Sequence, residues 1–201
     1  MNADLFWPTL TRNNNNIADK VNEDICKIQN SKPKSARTVV LDEARRLYDQ
    51  EQNRRSTTDS KAGIYIAIST ALIPTLLSLT PFIMSGERPI VLNFIILCSF
   101  LLSIITLSRC ALWSHEALQV SPFYQLDWKV LISSKSTKKL EICLAKQLLC
   151  NLRKNYELTN EAVTCIKMAH ALVTSAWIWL FICILVRLFS YIYVDFIEPI
   201  N

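Results

Sequence analysis

The stretch "EQNRRSTTDSKAGIYIAISTALIPTLL", Glu51 to Leu77, is charged as far as Lys61 and carries no charge after it. No Gly-Pro turn separates the two halves, and no proline interrupts the chain between Lys34 and Pro74. Upstream, Val40, Ala44, Leu47 and Tyr48 fall at i, i+4, i+7 and i+8, the spacing of one helix face. Asp42 with Arg46 and Glu51 with Arg55 stand at i,i+4 in the favourable order for ion pairs. A single helix is therefore predicted from Ala36, passing Lys61 unbroken and continuing to at least Pro74.

The apolar half is long enough to cross a bilayer. From Ala62 to Gly86 no side chain is charged, and about 20 apolar residues span the hydrocarbon core as a helix. A polar break, "GERP" (Gly86 to Pro89), leads to a second uncharged run from Ile90 to Ser108. A third, Ala171 to Val194, carries one charge, Arg187, near its end, where an arginine costs less than at the bilayer centre. Strands are excluded for all three, because open sheet edges stay unsatisfied in lipid and the runs lack a barrel's alternation. With 51% hydrophobic residues and a mean hydropathy of +0.21, the 201-residue chain is too apolar for an ordinary soluble domain. The expected class is an all-α membrane protein with three transmembrane helices and long cytoplasmic helical extensions.

The expected organisation is a loosely ordered region at 1–35, a cytoplasmic helix at 36–61 and a transmembrane hairpin at 62–112. A cytoplasmic helical region at 113–169, a third transmembrane helix at 170–195 and an outer tail at 196–201 follow. The first region, read as loosely ordered or as a docking segment, contains the polar tract "RNNNNIADK", the linker-like "NSKPKS" and one apolar cluster, Leu5, Phe6 and Trp7, suited to docking on the rest of the protein or on the membrane surface. In the fourth region Leu140, Leu144, Leu148 and Leu152 recur every four residues, with Cys143, Cys150 and Leu149 on or beside that face. This predicts a second stalk helix running toward the third span, with a bend allowed where "ELTNEA" offers a cap at Thr159 or Asn160. "SPFYQLDWKVLISS", Ser121 to Ser134, reads as an interfacial segment, with Phe123, Tyr124 and Trp128 at headgroup level.

Lysine and arginine concentrate before the first span and between the second and third. The positive-inside bias then places the N-terminus and the middle segment in the cytoplasm, and the hairpin loop and C-terminus outside. The net charge of +5 reflects that topology and attraction to anionic headgroups, or else a phosphate or nucleic-acid site. Lys135, Lys138 and Lys139 mark the best local candidate for the latter, although no aromatics interleave them. Arg54, Arg55 and Lys61 are the corresponding candidate contacts on the first stalk, to a cytoplasmic partner or ligand.

Within the spans, Thr70, Pro74, Ser78 and Pro81 share one face of the first, and Ser99, Ser103 and Thr106 share one face of the second. Such stripes line a water path when several copies assemble, or serve as hydrogen-bonding glue between packed helices. Three spans enclose too little space for a channel, so the pore reading requires a homo-oligomer. Arg187 reads either as a snorkelling side chain or as a cationic constriction or closed-state contact.

The chemistry of an enzyme is missing from the pattern. His115 and His170 have no paired nucleophile or metal-ligand spacing, two glycines cannot build a phosphate loop, and the seven cysteines show no CxxC or CxxH spacing. No enzymatic activity, no cofactor and no small-molecule substrate are expected.

The string "EARRLYDQEQNRRSTTDSKAGIYIAISTALI", Glu43 to Ile73, resembles the approach to the first span in small bacterial antiphage effectors of the two-transmembrane and SLATT type. Leu47, Tyr48, Glu51, Arg54, Arg55, Asp59, Lys61 and Ala62 carry that resemblance, and "NYELTNEAVTCIKMAHALV" is similar to the lysine-containing returning helix of the same group. The likeness covers 36 to 195. It implies an effector encoded beside a sensor, such as a retron reverse transcriptase with its RNA and DNA, or a cyclic-nucleotide synthase. When triggered, such effectors disrupt the bacterial inner membrane and cause abortive infection. The third span and the long N-terminal region depart from the simplest members, and no nucleotide-binding domain is recognisable. The rival expectation is a non-perforating membrane anchor or scaffold subunit of a multi-protein complex.

Overall fold

The computed structural model describes residues 14–31, 37–85, 90–119, 123–127, 129 and 137–197. Among them the chain is all-α, with four long helices and no strand: α1 (Asn14–Asn30), α2 (Arg37–Met84), α3 (Ile90–Leu118) and α4 (Thr137–Ile197). Three of these, α2, α3 and α4, contain stretches long and apolar enough to cross a membrane. Helix α2 has 48 residues and α4 has 61. At 1.5 Å per residue these lengths are roughly 70 and 90 Å, against a hydrocarbon core about 30 Å thick, so each helix must continue well beyond its span.

The helix predicted through Lys61 is present as α2, which also continues through Pro74 and Pro81. Spanning helices tolerate proline because nearby hydroxyls and small local adjustments satisfy the freed backbone groups. Helix α4 likewise runs without interruption through the 169/170 boundary drawn from composition. Thr159 starts no new helix. It is fully buried, and its hydroxyl donates to the Asn155 carbonyl at 3.0 Å, one turn back in the same helix.

The chain divides into two compact units, residues 61–118 with those from 164 on, and residues 10–60 with 119–163. The first, here the membrane unit, has an interior of small and hydroxylated side chains. Ser69, Ser103, Ser114, Ser175 and Ser190 are fully buried, beside Ala169, Leu172 and Cys110. Many large apolar side chains point outward, Phe82 and Phe189 each 68% exposed and Ile90 87%. That inversion suits a lipid solvent, in which burying a phenylalanine gains little and close backbone approach through small residues gains packing. Ile96, Phe100 and Leu107 of α3 centre one apolar cluster, with Leu76 of α2 and Ala176 and Cys183 of α4.

The second unit, here the stalk unit, packs in the ordinary soluble sense. Leu41 and Ala44 of α2 meet Leu144, Ala145 and Leu148 of α4, with Val40, Tyr48 and Leu140 at the margin. Val40, Ala44 and Tyr48, with Leu140, Leu144 and Leu148, belong to the two periodic faces expected from the sequence, whereas Leu41 and Ala145 were not among the expected residues. Cys150 is buried, but Cys143 is exposed, so the second cysteine alone joins the interior.

Two expectations need correction. Residues 1–35 were expected to be loosely ordered, yet 14–30 form α1. Ile17, Val21, Ile25 and Ile28 recur at i, i+4, i+8 and i+11, a helical stripe that the asparagine tract beside it masks. The helix is tied to α4 in two places: Arg153 Nε donates to Asp24 Oδ2 at 2.7 Å, and Lys146 Nζ donates to the Gln29 carbonyl at 2.5 Å. The ion pairs of α2 are also shifted. Asp42 pairs with Arg45 and Glu51 with Arg54, both at i,i+3, while Arg55 pairs with Asp59. Pairs exposed at the surface, such as Arg46 with Glu43, add little to stability, because water screens them. The cluster Leu5, Phe6 and Trp7, the hairpin loop at 86–89 and the tail at 198–201 lie outside the described residues.

Candidate functional site

The membrane unit places the two predicted hydroxyl stripes differently. Ser99, Ser103 and Thr106 are buried on α3. Ser103 Oγ donates to the Ala176 carbonyl of α4 at 3.3 Å, whereas Ser99 donates to Ile95 O and Thr106 to Leu102 O within α3. Thr70, Pro74, Ser78 and Pro81 are exposed on α2. Thr70 donates to Ile66 O at 2.9 Å and Ser78 to Thr75 O at 2.8 Å, so these hydroxyls are satisfied within their own helix and lie on an outer face without penalty. Within one copy the two stripes do not line a common space.

Arg187 is half-buried on α4. Its guanidinium donates to the Ile83 carbonyl and lies 4.8 Å from the Phe82 ring centroid. Ile83 sits in the last turn of α2, where carbonyls lack intrahelical donors and the helix dipole is negative. Arg187 thus caps α2 from a neighbouring helix, a role that spacing along the sequence could not reveal. A second cross-link, Tyr65 Oη to His170 Nδ1 at 2.9 Å, joins α2 to α4 in the same unit. His170 carried no partner in the sequence because its partner is 105 positions away.

In the stalk unit the basic residues are engaged internally. Arg54 Nη1 donates to Glu51 Oε2 at 3.2 Å, Nη2 donates to Asn160 Oδ1, and the guanidinium lies 5.0 Å from the Tyr156 ring centroid. Arg55 pairs with Asp59 at 3.0 Å and is only 15% exposed at its side chain. Lys61 is exposed. Lys135 and the side chains of Lys138 and Lys139 lie outside the described residues.

The connection at 123–127 is held by side chains that the sequence did not single out. Asn155, fully buried on α4, accepts from the Tyr124 backbone N–H at 2.8 Å and donates to the Tyr124 carbonyl at 3.0 Å. Tyr48 Oη donates to the same carbonyl at 2.9 Å, and Asn151 Nδ2 donates to Gln125 O at 3.0 Å. Lys154 Nζ lies 4.7 Å from the Tyr124 ring centroid. Tyr124 is therefore docked on the stalk. Trp128 lies outside the described residues.

Comparisons with protein families, curated proteins and solved structures gave no match. In the membrane unit Arg187 caps α2, and the stalk unit is cross-linked by Arg54, Asn155 and Arg153.

The Arg153 contact sets a pH dependence. Its guanidinium holds the Asp24 carboxyl below the ordinary value of 3.8, mainly through their hydrogen bond, with its charge and that of Lys27 acting in the same direction. A carboxylate depressed in the folded state stabilises above its unfolded value, and that contribution is lost as pH falls through the folded value. Protection of α1 amides from hydrogen exchange, corrected for intrinsic rates, should be constant from neutral pH to about 5 and fall below about 4. Asp24→Asn should lack that protection at every pH. Equal protection in the two proteins at neutral pH would show that the pair does not hold α1.

Proposed function

We propose that the chain is an antiviral-defence effector of the bacterial inner membrane, triggered by a co-encoded sensor, with the N-terminus cytoplasmic and the C-terminus periplasmic. On triggering it breaches the bilayer and causes abortive infection. The observation that carries this reading is the membrane unit's interior: five serines are fully buried, of which Ser103 donates to the Ala176 carbonyl, Ser69 and Ser114 lie against the Cys110 thiol, and Ser175 and Ser190 have no hydrogen-bond partner among the described residues. A polar interior that is only partly satisfied in the closed bundle is stabilised by entry of water once the helices part.

Two further features support it. Helices α2 and α4 are each continuous from the stalk unit into the membrane unit, a physical route for a binding event to reach the bilayer. The exposed face of α2 is a run of small residues, Gly63, Ala67, Thr70, Ala71, Pro74 and Ser78, of the kind that lets spanning helices of separate copies pack closely. Assembly into a homo-oligomer would use that face. The defence role and the sensor, a retron reverse transcriptase with its RNA and DNA or a comparable protein, rest on the resemblance of residues 43–73.

The Ser103 bond to the Ala176 carbonyl favours a second reading, since it is the kind of contact that binds helices together without opening. In that case the protein is a membrane anchor or scaffold. Induced expression with the neighbouring sensor gene, followed with a potential-sensitive dye, separates the two. Depolarisation before growth stops is expected; toxicity at unchanged potential would leave the anchor reading.

A further inference from the structure

A cavity of about 590 Å³ opens in the stalk unit between α1, α2 and α4. Ile28, Leu47, Leu149 and Leu152 give it apolar walls, and Gln50, Glu51, Arg54, Arg153 and Tyr156 supply its polar edge. Its volume and its mixture of apolar and polar groups match sites for small molecules.

One atom in it lacks what the others have. Glu51 is only 6% exposed, and its Oε2 accepts from Arg54. Its Oε1 is buried and accepts from no described residue. The neighbouring cations are already committed, Arg54 to Glu51 and Asn160, and Arg153 to Asp24 and Glu157. A buried carboxylate oxygen without a donor is costly, and a ligand that supplies the donor recovers that cost on binding. An anionic ligand would meet the Glu51 carboxylate, and a cationic one would compete with Arg54 for it. A neutral donor satisfies Oε1 and leaves the pair intact.

We propose that this cavity binds a neutral, largely apolar small molecule that donates one N–H or O–H to Glu51 Oε1 and lays its apolar body against the leucines and Tyr156. The site is a ligand site, with no reaction attached, and stands whether or not the protein breaches membranes. Its position between α1 and the two stalk helices lets occupancy strengthen or loosen the docking of α1.

The test uses the full chain in lipid nanodiscs and two probes, 5-fluoroindole and 5-fluoro-1-methylindole, followed by fluorine NMR. They differ in the N–H donor, which one methyl group replaces, and empty nanodiscs measure their partition into lipid. 5-Fluoroindole should bind saturably, and the methylated probe at least about tenfold more weakly, the factor expected for loss of one hydrogen bond to a charged group. Glu51→Gln should remove most of that preference. Leu149→Trp, which fills the cavity, should abolish saturable binding of both. The comparison on the wild-type protein decides the matter even if the tryptophan variant fails to fold. Equal or absent saturable binding of the two probes overturns the proposal, as does undiminished binding in a folded Leu149→Trp protein.

Discussion

Asn155→Leu should destabilise the stalk unit by about 1 to 3 kcal/mol, among the largest effects of any single substitution in it. The side-chain amide acts as a strand would, accepting from the Tyr124 N–H and donating to the Tyr124 carbonyl. Leucine matches it closely in size, so little of the effect comes from a cavity. The loss falls on Tyr124: its N–H forfeits the Asn155 acceptor, whereas its carbonyl keeps the Tyr48 hydroxyl. Such a donor left without a partner away from water costs about 1 to 3 kcal/mol.

Asn155→Asp sharpens the test. The carboxylate still accepts from the Tyr124 N–H, but its second oxygen now faces the Tyr124 carbonyl, and burial raises the introduced acid's pKa. The folded state then binds more protons than the unfolded one, so stability should fall as pH rises through neutrality and recover toward acid pH. Thermal unfolding, with hydrogen exchange at Gln125 and its neighbours, measures both variants. A Leu variant within about 0.5 kcal/mol of wild type, the range of an ordinary surface change, would show that Asn155 does not hold the connection.

On the proposed effector reading, insertion of two glycines between Lys61 and Ala62 should abolish triggered depolarisation while leaving membrane insertion and expression intact. The site is the point at which α2 leaves the stalk unit and joins the membrane unit. Two added residues turn the helix by roughly 200° and lengthen it by about 3 Å, and each glycine costs about 1 kcal/mol in a helix interior. The spanning stretch from Ala62 onward keeps its composition, so loss of insertion is not expected. Two alanines at the same place impose the same turn without the flexibility. If the helix transmits torque, both insertions silence the protein; if it transmits only stiffness, alanine retains activity and glycine does not. Full activity with both would sink the coupling between stalk and span.

Much of the fold was legible because the signals are one-dimensional. Uncharged runs of sufficient length name the spans, and a periodic face such as Leu140, Leu144 and Leu148 names a packed helix, since burial repeats with the helical turn. The continuity of α2 through Lys61 followed from the lack of any breaker. Helix α1 was missed because polarity near "NNNN" outweighed four isoleucine and valine positions whose spacing was there to be read.

The site was less legible, for a different reason. Arg187 with Ile83, Tyr65 with His170, and Asn155 with Tyr124 join positions far apart in the chain, and no local pattern of residues announces a partner on another helix. Nor did composition distinguish the hydroxyls of α2, turned outward, from those of α3, turned inward, since both stripes have the same spacing. The sequence by itself determined how many helices can cross a bilayer and where their apolar faces lie, because hydropathy and periodicity act residue by residue. Tertiary structure decided which polar groups satisfy one another and which, like Glu51 Oε1, are left to a ligand, because hydrogen bonds depend on the placement of two groups at once.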